Sequence, residues 1–287
     1  MSTAVVTDTN SGFTVEEGKQ LGIFVIPMPV IIDGKDFLEG VNITHEDVYA
    51  AMAEGKDVST SQASAGSVMD VWDGALKTYD SVVYIPMSSG LSGQCETGRL
   101  MARKYGGRVK VADNRRISVT QYQAVLDAKK YADSGMSAEE IAQKLEEDGP
   151  DASIYITVKS IEYLKKSGRI TPAAVTLASL LHIVPVLTIR GGKLDAFERV
   201  RGMKTAVRHM ITAVHNDLDE YLGRHPSADI IVAVSGTMTD PLEVQTVVEA
   251  MKKEFPDYEV FYRPLSCSIA CHTGPGAVGV AFMAVNH

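Results

Sequence analysis

Three polar strings in this 287-residue chain carry the residue types that bind anions: TSQASAG (Thr60–Gly66), SSGLSG (Ser88–Gly93) and CHTGPG (Cys271–Gly276). Each falls where a strand should hand over to a helix. In open α/β sheets such strand-end loops face the ligand crevice. Hydroxyls beside the unpaired N–H groups of a helix start suit a carboxylate or a phosphate. The same residue types also make helix caps and turns, so one such loop decides nothing. Three of them, with hydroxyls at Thr60, Ser61, Ser88, Ser89 and Ser92, favour an anion site.

Other chemistries fit less well. Gly90-Leu91-Ser92-Gly93-Gln94 misses the G-x-S-x-G nucleophile pattern because its second glycine comes one residue early. His272 could serve Ser92 as a base, so a small serine hydrolase or acyl-transfer enzyme stays as the second reading. Gly274–Gly279 matches G-x-G-x-x-G, but no helix and second strand can follow it, which excludes a dinucleotide fingerprint. Lys193 after Gly192 is followed by Leu194, so a phosphate-cradling P-loop is absent too. Cys267, Cys271 and His272 are close in sequence without a second ligand group, so no metal is expected. His45, His209, His215 and His225 lie on polar stretches and read as surface residues. Arg199 and Arg201 alternate along one strand and share a face, either a solvated edge or a basic rim.

The elements that must position these loops can be read from pattern. Ala4–Thr7 reads as a strand, Thr14 and Glu17 as a capping box, and Ile23–Val30 as one strand before an Asp33-Gly34 hairpin turn. Thr44 with Asp47 starts a helix, and Ser64–Tyr79 is amphipathic. Ser81–Met87 is a buried strand, Leu91–Lys104 a helix that includes Ser92, and Val109–Ala112 a strand. Helices over Ser118–Ser134 and Ser137–Asp148 close the first half. The alternation predicts βαβ units around a largely parallel sheet. After a turn at Gly149-Pro150, the second half offers a strand at Ile154–Val158 and a helix starting at Thr171-Pro172. An antiparallel pair flanks Gly191-Gly192, a long helix starts near Met203, and two further βα steps follow. Two α/β domains are expected, residues 1–150 and 151–287, the second with a mixed sheet.

Composition narrows the setting. With 28 Lys and Arg against 36 Asp and Glu, the net charge is −8, which argues against a nucleic-acid partner. Three cysteines cannot make a disulfide framework, so a reducing cytoplasm is expected. The start MSTAVVTDTN shows no signal peptide. The apolar stretch Ala173–Ile189 is interrupted by His182 and Pro185 and falls short of a membrane span.

Taken together, VTDTNSGF, TSQASAG, IPMSSGLSG, VADNRRIS, LKKSGRI, GGKLDAFERVR and ACHTGPGAVGVAF resemble the DegV family, fatty-acid-binding subunits of bacterial fatty acid kinase, over essentially the whole chain. Ala63, the Asn114-Arg115-Arg116 run and Ser167-Gly168 depart from the usual pattern. The resemblance implies two α/β domains with a long-chain fatty acid held between them. Its carboxylate would be bound by Thr60 or Ser61, by Ser92 with the Gly93 N–H, and by His272, with Arg201 near the head group. Leu177, Leu180, Leu181, Ile183, Val186 and Leu187 are candidate tunnel walls, with plain core as the alternative for each. The expected protein is a carrier rather than an enzyme, without a cofactor. It would present the acyl carboxylate to a separate ATP-dependent kinase subunit and carry acyl-phosphate towards phospholipid synthesis, touching the membrane only transiently.

Overall fold

In the computed structural model, which describes residues 2–178 and 183–285, the chain begins with β1 (Thr3–Asp8), α1 (Val15–Leu21), β2 (Ile23–Ile26), β3 (Pro29–Ile32) and β4 (Lys35–Leu38). It continues through α2 (His45–Ala53), β5 (Val58–Thr60), α3 (Ala65–Ala75), β6 (Ser81–Ile85), α4 (Gln94–Ala102), β7 (Val109–Val111), α5 (Ser118–Asp133) and α6 (Ala138–Glu147). These elements make one unit, reaching Gly149 and also taking in Ser266–Ser268 from much later in the chain.

The main sheet of this unit has the order β2-β1-β6-β7, with every pair parallel. All six residues of β1 are buried, as a strand covered on both faces requires. Its side chains divide by alternation. Val5 packs with Val83, Ile85, Val125 and Ile141, whereas Ala4 and Val6 pack with Trp72 and Tyr84. Three helices begin with reciprocal capping boxes, Thr14 with Glu17, Thr44 with Asp47 and Ser137 with Glu140, each satisfying otherwise unpaired N–H groups.

Two boundaries differ from the sequence pattern. Ile23–Val30 is not one strand: β2 belongs to the parallel sheet, and β3 joins an antiparallel sheet of order β4-β3-β5. Pro27 lies between them and has no N–H for a ladder. The β3–β4 hairpin does turn at Asp33-Gly34, both at positive φ (48° and 76°), as a type I′ turn demands. The helix expected from Leu91 begins at Gln94 instead, because Leu91 N–H and Ser92 N–H both donate to the Ser88 carbonyl and hold the preceding residues in a turn.

The second unit, Pro150–Leu265 and the chain from Ile269, contains β8 (Ala152–Thr157), α7 (Glu162–Ser167), α8 (Pro172–Ala178), β9 (Ile183–Thr188), β10 (Asp195–Arg201) and α9 (Met203–Arg224). It continues with β11 (Asp229–Gly236), α10 (Pro241–Glu254), β12 (Glu259–Pro264), the helix α11 (Cys267–Thr273) from Ile269 onward, and β13 (Val278–Val285). Its six-stranded sheet runs β10-β9-β8-β13-β11-β12. The sheet is mixed: β11 and β12 are parallel, and the other pairs are antiparallel. The C-terminal strand β13 lies inside the sheet between β8 and β11 and is buried along Val278–Ala284. The α9 face of Ala206, Met210, Ile211 and Val214 packs with Val232, Val280 and Phe282 to form the core. Among the described residues, no helix is long and apolar enough to cross a membrane.

Candidate functional site

The parallel sheet of the first unit ends in a polar rim. β1 terminates at Asp8, wholly buried. One of its carboxylate oxygens accepts from Asn10 N–H at 3.0 Å and the other from Met87 N–H at 3.2 Å. Burial pushes this carboxyl up to about 6, and the hydrogen bonds from Met87 and Asn10 offset only part of that. Asp8 thereby ties the loop after β1 to the loop after β6. Asp8 directly follows the apolar run expected as a strand over Ala4–Thr7. The available signal was its place at the end of an apolar strand.

SSGLSG follows β6. Ser88 is buried, Ser92 is half-buried, and Ser89 and Gly93 are exposed. Ser88 N–H donates to the Arg116 carbonyl at 3.0 Å, and Ser89 N–H donates to Asp113 at 3.2 Å. The VADNRRIS segment after β7 therefore supports this loop. Ser92 Oγ accepts from Gln94 N–H at 3.2 Å, which orients the hydroxyl at the start of α4 and leaves its own proton to donate. Ser92 lies outside the helix rather than inside it, and Gly93 is the residue that caps α4.

TSQASAG meets SSGLSG through Gln62. Thr97 Oγ1 donates to Gln62 Oε1 at 2.9 Å, and the Gln62 amide lies over Gly93 so closely that a Cβ there would stand 2.5 Å from Nε2. Thr60 ends β5, paired with Val30, and is half-buried; Ser61 is exposed and donates to the Gln62 carbonyl. The structure thus brings two of the predicted loops, with Thr60, Ser61, Ser92 and Gly93, onto one polar rim.

In the second unit, His272 sits half-buried in the last turn of α11. Burial, and secondarily the positive charge of Arg169, lower its pKa to about 4, so the ring is neutral at pH 7. The following TGPG turn is pinned by buried Thr237, whose hydroxyl donates to the Gly274 carbonyl at 2.6 Å and accepts from Ala277 N–H at 2.8 Å. Gly274 and Gly276 adopt φ of 71° and 77°. A Cβ on Gly274 would meet the Tyr163 ring at 2.5 Å, so the first glycine is required both by conformation and by close approach. The chain then enters β13, which confirms that Gly274–Gly279 is not the strand-to-helix turn of a dinucleotide site.

Arg201 ends β10, an edge strand, and both Arg199 and Arg201 are exposed. Of the candidate tunnel residues, Val186 and Leu187 are wholly buried on β9, with Val186 in the core, and Ile183 is half-buried. Leu180 and Leu181, like the Leu177 side chain, lie outside the described residues.

Site and fold together define a class: a two-unit α/β protein, one unit with a parallel sheet and one with a mixed sheet, whose polar loops offer hydroxyls and backbone N–H groups. The chain belongs to the DegV family, whose model, described as "Uncharacterised protein, DegV family", matches residues 2–285. It is 33% identical over 284 residues to a DegV domain-containing protein of Deinococcus radiodurans, with 98% of each chain covered. Its fold matches that of a Thermus thermophilus DegV family protein described as binding fatty acid, with a TM-score of 0.86 and 28% identity over 99% of this chain and 100% of that one. It also matches DegV of Bacillus subtilis, described as a fatty acid binding protein, with a TM-score of 0.85 and 25% identity over 99% of each chain.

Proposed function

We propose that this protein is a lipid-binding carrier. It takes up a long-chain fatty acid and presents the carboxylate to a separate ATP-dependent fatty acid kinase subunit. It then carries the acyl-phosphate towards phospholipid synthesis in the cytoplasm, meeting the membrane only transiently for lipid exchange. The likeness to the Thermus thermophilus fatty-acid-binding protein over 99% of the chain carries this reading.

The local chemistry supports it. In the first unit, Thr60 or Ser61, the Ser92 hydroxyl and the Gly93 N–H are the donors assigned to the carboxylate. In the second unit, His272 and Arg201 are assigned to the head group. A neutral His272 can donate one hydrogen bond without forming an ion pair. The hydroxyl donors are neutral and hold a carboxylate without a strong ion pair, which leaves an oxygen able to attack a phosphoryl group. Leu177, Leu180, Leu181, Ile183, Val186 and Leu187 are offered as walls for the acyl chain, where each buried CH₂ contributes about 0.8 kcal/mol. The net charge of −8 limits adhesion to anionic lipid. No resident cofactor is invoked.

Organic extraction of the purified protein followed by mass spectrometry tests the proposal. Recovery of about one equivalent of a long-chain fatty acid is expected. Protein without lipid, and without affinity for added oleate or palmitate, overturns the reading. Stoichiometric labelling of Ser92 by a fluorophosphonate would favour a hydrolase or acyl-transfer enzyme instead.

A further inference from the structure

Cys267 meets side chains far from it in sequence. Its thiol is wholly buried in the first unit, beside the carboxylate of Glu39 and the imidazole of His45, and the ligand atoms of all three lie within 4.8 Å of one another. We propose that Glu39, His45 and Cys267 form a binding site for one divalent transition-metal cation of the zinc class.

The backbone holds the three side chains in place. Glu39 follows β4, its N–H donating to the Met28 carbonyl at 3.1 Å, and it bridges to Ile43. Gly40 turns the chain at a φ of 71°, and Thr44 caps α2 so that His45 is the first helical residue. Glu39 Oε2 accepts from Thr9 Oγ1 at 2.7 Å, and Glu39 Oε1 accepts from Cys267 N–H at 2.6 Å. Thr9 Oγ1 in turn accepts from Met28 N–H at 3.2 Å. Hydrogen bonds of this kind orient a ligating carboxylate, and the Cys267 thiol itself hydrogen-bonds the Glu39 carboxylate, a bond that ends when the thiol gives up its proton to bind a cation.

Charge and donor chemistry point the same way. Glu39 is only 7% exposed, and a carboxylate buried to that degree calls for a nearby positive charge. A divalent cation would balance one carboxylate and one thiolate, leaving a neutral cluster. A thiolate, an imidazole and a carboxylate suit zinc, whereas magnesium and calcium prefer oxygen alone. Zinc bonds of about 2.0–2.3 Å place ligand atoms roughly 3.3–3.8 Å apart. The cluster therefore needs to contract by about 1 Å, which rotation of half-buried His45 can supply. When the metal–sulfur bond forms, the Cys267 thiol proton passes to solvent. Three protein ligands leave the fourth tetrahedral position to water.

The test uses the full chain, stripped with a chelator and titrated with Co²⁺ and then Zn²⁺. One equivalent of Co²⁺ should give a sulfur-to-cobalt charge-transfer band in the near ultraviolet, removed by Zn²⁺. Cys267→Ser should abolish the band, and Cys95→Ser should leave it intact. His45→Ala, at a half-buried position where misfolding is less of a concern, should weaken Zn²⁺ at least tenfold in chelator competition. Folded wild-type protein without the band, or with Zn²⁺ affinity unchanged by both His45→Ala and Glu39→Gln, overturns the proposal. Metal binding is read without lipid, so this outcome is independent of fatty acid binding.

Discussion

Gln62 fills the space that a side chain on Gly93 would need: its Nε2 stands 2.5 Å from the Cβ position, while its Oε1 accepts from Thr97 Oγ1 at 2.9 Å. Gly93→Ala should push the amide aside and break the Thr97 bond. A flexible, exposed side chain yields easily, so the stability cost should stay near 1 kcal/mol. Fatty acid affinity should fall more than stability does. Displacement of a fluorescent fatty acid and thermal denaturation, measured side by side, check this. In a Gln62→Ala background the stability cost should largely vanish, because the two residues are coupled.

Ser92→Ala removes one hydroxyl donor to a charged carboxylate. Such a bond is worth about 1.5–3 kcal/mol, so affinity should fall roughly ten- to a hundredfold with stability little changed. Equilibrium binding of oleate reads the first effect, and kinase-coupled acyl-phosphate formation should fall with it. Unchanged affinity would remove Ser92 from the head-group site.

Asp8 makes a pH prediction. Its folded pKa of about 6 stands above the ordinary aspartate value of 3.8, so the native state binds more protons between those limits. Its contribution is therefore most favourable below pH 4 and is lost as the pH rises through 6, a change of about 3 kcal/mol. Urea denaturation of wild-type and Asp8→Asn protein at several pH values should show their stability difference moving against the wild type as the pH rises. A constant difference would place Asp8 at an ordinary carboxylate pKa.

His272 has the opposite sign. Its folded pKa of about 4 lies below the ordinary histidine value of 6.5, so the unfolded chain binds the extra proton first, and stability is lost as pH falls from 6.5 towards 4. NMR titration should find the His272 ring still neutral at pH 5.5, where an unperturbed histidine is mostly protonated. His272→Gln should flatten the acid side of the stability profile.

Thr237→Val keeps the shape but deletes the bonds to Gly274 and Ala277. Leaving the buried Gly274 carbonyl and Ala277 N–H unpaired should cost about 2–4 kcal/mol. Denaturant titration measures this, and faster amide exchange should be confined first to residues 274–277.

Local chemistry was the most legible part of the sequence. The capping boxes at Thr14, Thr44 and Ser137 and the Asp33-Gly34 hairpin require only residues near one another, and all form. β13 was not legible as a strand, because a strand buried on both faces loses the alternation that marks a half-exposed one. The polar rim could be anticipated from its hydroxyls, but the bridge made by Asp8 could not: its partner Met87 is 79 residues away. Glu39 and Cys267 are 228 residues apart, and neither an acid after a hairpin nor a cysteine at the start of a helix announces the other.

The inclusion of Ser266–Ser268 in the first unit has a consequence for biosynthesis. A nascent chain that has just produced Gly149 holds almost all of that unit but not the Cys267 N–H that Glu39 accepts. At about 5–20 residues per second, the missing piece arrives on the order of ten seconds later. Until then Glu39 lacks that partner, so the first unit is completed only by residues made more than a hundred positions after Gly149.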